Sequence, residues 1–137
     1  MRIGFVLIGN SEKLNTLSKI VERKLVKDGH SVKYFSLKDA EYEKICVEKH
    51  IVFFFDSGKL FSPCESLSLL EKFLKSKGNI MTRYASLFAT HRLFGMKNFL
   101  KALTILENYG FVLQDTDIVK TSYEMNQIIQ NFTPAES

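Results

Sequence analysis

His91-Arg92, Asp56-Ser57 and the run Ser11-Glu12-Lys13-Leu14-Asn15-Thr16 hold the residue types best suited to chemistry in this 137-residue chain. An arginine presents a planar fork of donors to a phosphate or carboxylate, and an adjacent histidine can exchange a proton near neutral pH. Ser11, Asn15 and Thr16 are short and polar, with Lys13 a cation among them. Such a set, together with backbone N–H groups, cradles an anion at a helix start. Asp56 directly follows an apolar run and suits a turn or loop cap. His30 and His50 stand singly, without an acid or nucleophile at a telling spacing, so they carry no chemistry in this reading. Ser11 lacks the glycine-flanked surroundings of a nucleophile elbow. Cys46 and Cys64 are isolated, which excludes a cysteine zinc site and a Cys-x-x-Cys redox pair. Cys64, beside Pro63, is a packing residue or, if exposed near a helix start, a reactive thiol.

These side chains need elements to position them, and the hydrophobic pattern supplies a strict alternation. An apolar run at 3–8 predicts a first strand, and Leu17, Ile20, Val21 and Leu25 recur at helical spacing over 15–28, with Gly29 as a stop. Segment 31–37, with Val32 and Phe35 among polar residues, predicts a strand near the sheet edge, and 38–49 a short surface helix. His50-Ile51-Val52-Phe53-Phe54-Phe55 predicts a central strand covered on both faces. A helix from about 65 uses Leu67, Leu70, Phe73 and Leu74 as its inner stripe and stops at Gly78. A strand at 84–89 and a loop at 90–95 follow. The next helix turns Phe99, Leu100, Leu103 and Leu106 inward and ends at Gly110. Residues 111–113, extending towards 119, form a fifth strand, 123–132 a last helix with Ile128, Ile129 and Phe132 inward, and 133–137 a frayed tail.

Five strands alternating with five helices define one α/β domain over 1–137, a three-layer α/β/α sandwich around a parallel sheet with right-handed crossovers. The length suits a single core, and 45% hydrophobic with 25% charged residues is a globular balance. The net charge of +4 comes from lysines scattered along the chain, the distribution of solvated helix faces, which argues against a nucleic-acid partner. No apolar run approaches a membrane span, and no signal peptide opens the chain, so a cytoplasmic protein without a membrane partner is expected.

In a doubly wound sheet the crevice lies where the loops 9–16, 56–64 and 90–95 meet at the carboxyl ends of the strands. The first loop resembles the phosphate loop of flavodoxins and NADPH-dependent flavin reductases, which often reads Gly-Ser-x-x-Gly-Asn-Thr; Ser11, Asn15 and Thr16 match that pattern. Ser57, Gly58, Leu60 and Phe61 occupy the places of the loop flanking the flavin ring, and the segment 88–110 looks like the glycine-containing turn and amphipathic helix that follow. The resemblance spans nearly the whole chain. It implies the flavodoxin-like strand order 2-1-3-4-5 and flavin mononucleotide (FMN) as cofactor. The activity it implies is electron transfer or NAD(P)H-dependent reduction of a flavin or quinone, with NAD(P)H or a redox protein as partner and a homodimer as the assembly. Asn10, Ser11, Lys13, Asn15 and Thr16 would hold the phosphate, Ser57, Gly58, Leu60 and Phe61 one side of the ring, and Thr90, His91, Arg92 and Gly95 the other. Leu93-Phe94 would serve the dimer contact.

Departures from the pattern are specific. Glu12 places a negative charge where the family has a neutral residue, and Leu14 replaces a glycine that lets the backbone approach. The chain has no tryptophan, and Leu60 stands where an aromatic covers the ring, leaving Phe61 or Phe94 to take that place. The cysteine clusters of iron-sulfur flavoproteins are missing. These departures favour the alternative, a non-catalytic interaction or regulatory module of the same fold. Asp56, Thr90 and Lys120 also resemble the phospho-accepting set of receiver domains, but Gly9-Asn10 stands where that family needs an acidic pair for magnesium.

Overall fold

The computed structural model describes residues 1–9, 11–35, 37, 48–57, 65–77, 80–92 and 95–135. The apolar stretches become β1 (Arg2–Ile8), β2 (Ser31–Phe35), β3 (His50–Phe55), β4 (Tyr84–Thr90) and β5 (Val112–Val119). Between and after them come α1 (Glu12–Lys27), α2 (Glu65–Lys77), α3 (Met96–Asn108) and α4 (Ser122–Ile129). All five strands are parallel, in the order β2-β1-β3-β4-β5, as the resemblance implies.

β3 is central and buried along its whole length because its neighbours cover it on both edges and helices on both faces. Its alternating side chains divide between two cores. Ile51, Phe53 and Phe55 join Leu70, Phe73 and Leu74 of α2 and Phe99, Ala102 and Leu106 of α3. Val52 and Phe54 join Leu14, Leu17, Val21 and Leu25 of α1 and Met125 and Ile129 of α4. Phe53 meets Phe73 of α2 and Phe111 edge-on at 6.4 and 5.7 Å, and on the other face Phe54 meets Phe5 and Phe88 of the neighbouring strands in tilted contacts at 5.1 and 6.1 Å. β2 is an edge strand with three exposed residues in five.

Several boundaries differ from the sequence expectation for identifiable reasons. α1 starts at Glu12 instead of 15, because Ser11 caps it: its Oγ accepts the Leu14 N–H at 3.2 Å. Four helices lie among the described residues. Most of the expected helix at 38–49 falls outside them, while Glu48 and Lys49 are not helical and Glu48 is buried. Leu100, expected inside, is 53% exposed, because Phe99, Ala102 and Leu106 form the stripe that meets the sheet. α4 ends at Ile129, and Phe132 reaches the core from beyond it. Residues 133–135 are not a frayed tail. Pro134 is buried, the Gln114 amide donates to the Thr133 carbonyl at 2.7 Å, and the Ala135 N–H donates to the Gln114 side-chain carbonyl at 2.7 Å.

Candidate functional site

The strand order sets the carboxyl ends of β1, β3 and β4 side by side, which brings Gly9, Asp56-Ser57 and Thr90-His91-Arg92 to one rim of the sheet. The Asp56 N–H donates to the Ile8 carbonyl at 3.0 Å, continuing the ladder past the last strand residue. Gly9, at φ 133°, is packed so closely that a Cβ there would come within 2.6 Å of the Asp56 Cβ. Only glycine fits both that backbone angle and that gap.

Hydroxyls then join the two neighbouring loops. The Ser57 N–H donates to Thr90 Oγ1 at 3.0 Å, and Ser57 Oγ donates to the Thr90 carbonyl at 2.6 Å, both in the buried interior. Thr90 Oγ1 in turn points its proton at Asp56 Oδ1 over 3.5 Å. Arg92 Nη1 bridges the same segments by donating to the Ser57 carbonyl at 3.0 Å, and its buried Nε has no hydrogen-bond partner among the described residues. Thr90 is thus the last residue of β4 and not a loop residue, while His91 is exposed, its N–H donating to the Val119 carbonyl at 3.1 Å. Gly95 is buried, and its N–H donates to the Arg92 carbonyl at 2.9 Å.

The first loop is shorter than the sequence pattern implied. Only Gly9, Asn10 and Ser11 separate β1 from α1. Asn15 and Thr16 lie in the second turn of the helix, both exposed, and Thr16 Oγ1 donates to the Glu12 carbonyl at 3.0 Å. Thr16 therefore sits ~6 Å along the axis from the first helical residue. Glu12 and Lys13 occupy the first turn, exposed. The expectations for Asn10, Gly58, Leu60, Phe61 and Phe94 fall outside the described residues.

Among the described residues, few side-chain hydroxyls are left to converge on the phosphate of FMN. A cradle for a dianion needs free N–H groups and hydroxyls converging on it. Here the Ser11 hydroxyl is engaged as the helix cap, Ser57 and Thr90 bond each other, and Thr16 faces its own helix. The charged groups nearest that helix start include the Glu12 carboxylate, which opposes an anion.

Sequence reasoning missed a second polar cluster, at the opposite end of the sheet. His50 is fully buried, with Nδ1 3.0 Å from the Ala135 carbonyl and Nε2 2.8 Å from Ser86 Oγ, and Ser86 also donates to the Gln114 carbonyl. Burial holds the His50 pKa below its usual value, partly offset by the bond to Ala135. A serine at the centre of the apolar run 84–89 and a histidine opening the apolar run 50–55 were the available signal.

The architecture is that of the flavodoxin-like fold. The sequence matches no family model and no curated protein. Solved structures share the fold. The flavodoxin-like domain of a Synechococcus protein is 16% identical, covering 93% of this chain and 91% of its own, at a TM-score of 0.61. An NAD(P)H:quinone oxidoreductase from Methanothermobacter marburgensis is 9% identical over 96% and 98%, at 0.63. A flavodoxin from Streptococcus pneumoniae is 11% identical over 95% and 94%, also at 0.63. At such identities the likeness is one of fold.

Proposed function

We propose that this chain is a flavodoxin-fold domain that works by binding another macromolecule and does not hold FMN. The observation that carries this reading is the engagement of the crevice by its own side chains: Ser11 caps α1, Ser57 and Thr90 bond each other, and Arg92 reaches across to Ser57. The Ser57 N–H and hydroxyl proton are committed to Thr90 and would have to leave it before a phosphate or flavin edge could use them, whereas Ser11 Oγ accepts in its cap and keeps its own proton. Glu12 adds repulsion at the helix start.

A flavin fluorescence titration of the purified protein tests it. The expected result is no quenching up to millimolar FMN and no yellow colour after desalting. Retention of FMN with micromolar affinity overturns the proposal.

A second reading, FMN-dependent electron transfer or NAD(P)H-driven reduction of a flavin or quinone, is supported by one feature of the loop. Gly9-Asn10-Ser11 repeats the Gly-Asn-Thr end of the family pattern directly before α1, with serine for threonine. If FMN binds, Ser11→Ala should weaken it about tenfold, whereas Asn15→Ala should leave it unchanged. The reverse ranking would return the phosphate to the second helical turn.

A further inference from the structure

α2 and α3 pack side by side over one face of the sheet, and an open groove of about 540 Å³ lies between them. Leu67 and Glu71 line it from α2, and Lys97, Leu100, Lys101 and Ile105 from α3. These residues come from the first two turns of α2 and from most of the length of α3.

Three features have no explanation in the fold. Leu100 is 53% exposed and Met96, one turn earlier, 56%; neither belongs to either core. Lys97 sits in the first turn of α3, where the helix dipole makes a cation unfavourable, and no acidic residue accompanies it there. Lys97, Lys101 and Glu71 form no ion pair among the described residues. An apolar strip flanked by two cations without ion pairs among the described residues, one of them in the first turn of a helix, attracts an acidic, apolar partner.

We infer that the α2–α3 groove is the docking site for an acidic amphipathic helix of a partner protein. This rests on the reading of the domain as an interaction module and names its surface. A helix laid in the groove would present apolar anchors at i, i+3 or i+4 and i+7 to Leu67, Leu100 and Ile105, with its carboxylates against Lys97 and Lys101. A cylindrical partner suits a concave groove. A flat anionic bilayer does not enter a groove between two helices, whereas a single helix can turn its carboxylates to Lys97 and Lys101 on α3 and away from Glu71 on α2.

The test is selection of phage-displayed random peptides of about 16 residues, some four helical turns, on the full chain without flavin. Selected peptides are then synthesised, and their affinity is measured by fluorescence anisotropy. They should carry acidic and apolar residues at helical spacing. Affinity should fall at least about tenfold for Leu100→Asp and for the pair Lys97→Glu and Lys101→Glu, and stay unchanged for Tyr123→Asp on the opposite helical layer. Circular dichroism of each variant separates lost binding from lost fold, and the exposure of all four positions favours intact folding. Peptides indifferent to Leu100, or basic ones, overturn the inference. So does lysine-dependent sedimentation with phosphatidylserine vesicles, or a homodimer dissolved by Leu100→Asp. FMN binding would overturn the preceding proposal and leave the peptide result standing, while absence of any Leu100-dependent peptide overturns the groove alone.

Discussion

Ser57 and Thr90 are small residues with a large structural task, because each satisfies a buried backbone group of the other's loop. Thr90→Val keeps the shape and removes the acceptor of the Ser57 N–H, leaving a buried donor unpaired. That substitution should destabilise the domain by about 1–3 kcal/mol, read as a lower urea midpoint at unchanged m-value. A shift below about 0.5 kcal/mol would mean that water replaces the hydroxyl and that the crevice is more open than its bonds imply. Gly9→Ala tests the neighbouring constraint. With φ at 133° and the Asp56 Cβ 2.6 Å from a new methyl group, it should cost more than about 1 kcal/mol. His50 sets the acid sensitivity. Its folded pKa lies below the ordinary 6.5, so under pH 6.5 the unfolded chain takes up a proton that the folded one refuses. Its contribution is therefore complete above pH 6.5 and is lost as the pH falls from there towards the depressed value. Urea midpoints measured between about pH 7.5 and pH 5 should decline for the wild type and flatten for His50→Gln. An equal slope in both would assign the acid sensitivity to other groups.

At the scale of elements, what was legible depended on whether the decisive interaction was local. The stripe Leu17, Ile20, Val21 and Leu25 identifies α1, but the first residue of the helix turns on whether Ser11 caps a helix or cradles a ligand. Those two roles ask for the same residue type, so the sequence pattern does not separate a loop that includes Asn15 and Thr16 from a helix that starts at Glu12. Leu100 fell to a similar ambiguity: an apolar residue beside the stripe fits the period about as well as one on it, and only the position of the sheet decides. The last residues were illegible for a different reason. Thr133-Pro134-Ala135 has no periodicity, and its anchors, Gln114 and His50, lie 19 to 85 positions away in sequence. Truncation after Phe132 removes those three contacts and should lower stability by about 1–3 kcal/mol. It should also raise the His50 pKa towards 6.5 as water reaches the ring, which an NMR titration of the imidazole protons would detect. A further fall in the His50 pKa, from loss of the Ala135 carbonyl that raises it, would show that Phe132, whose ring packs edge-on at 5.8 Å, excludes water without the tail.

For the molecule as a whole, the alternation of apolar runs with helical stripes fixes two cores on the two faces of one sheet, and this survives large sequence divergence because it asks only for residue class. The function does not survive in the same way. It depends on a few loop atoms, and a hydroxyl that holds a phosphate is written with the same letter as one that caps a helix. Thermodynamic linkage converts that ambiguity into a property of the entire domain. A ligand present at about a hundred times its dissociation constant stabilises the folded state by about 2.7 kcal/mol. For a domain of this size that raises Tm by roughly 10 °C. If the crevice is engaged by its own side chains, millimolar FMN should leave Tm within about 1 °C of the unliganded value, whereas a groove-binding acidic peptide at saturation should produce the full rise. Thr90→Val sharpens the comparison, because it frees atoms in the crevice while leaving the α2–α3 groove intact. A Tm response to FMN that appears only in this variant would show that self-bonding, and not the charge of Glu12, keeps flavin out. A response already present in the wild type would mean that the ligand outcompetes those bonds, and the domain would then be a flavoprotein with an abbreviated phosphate loop.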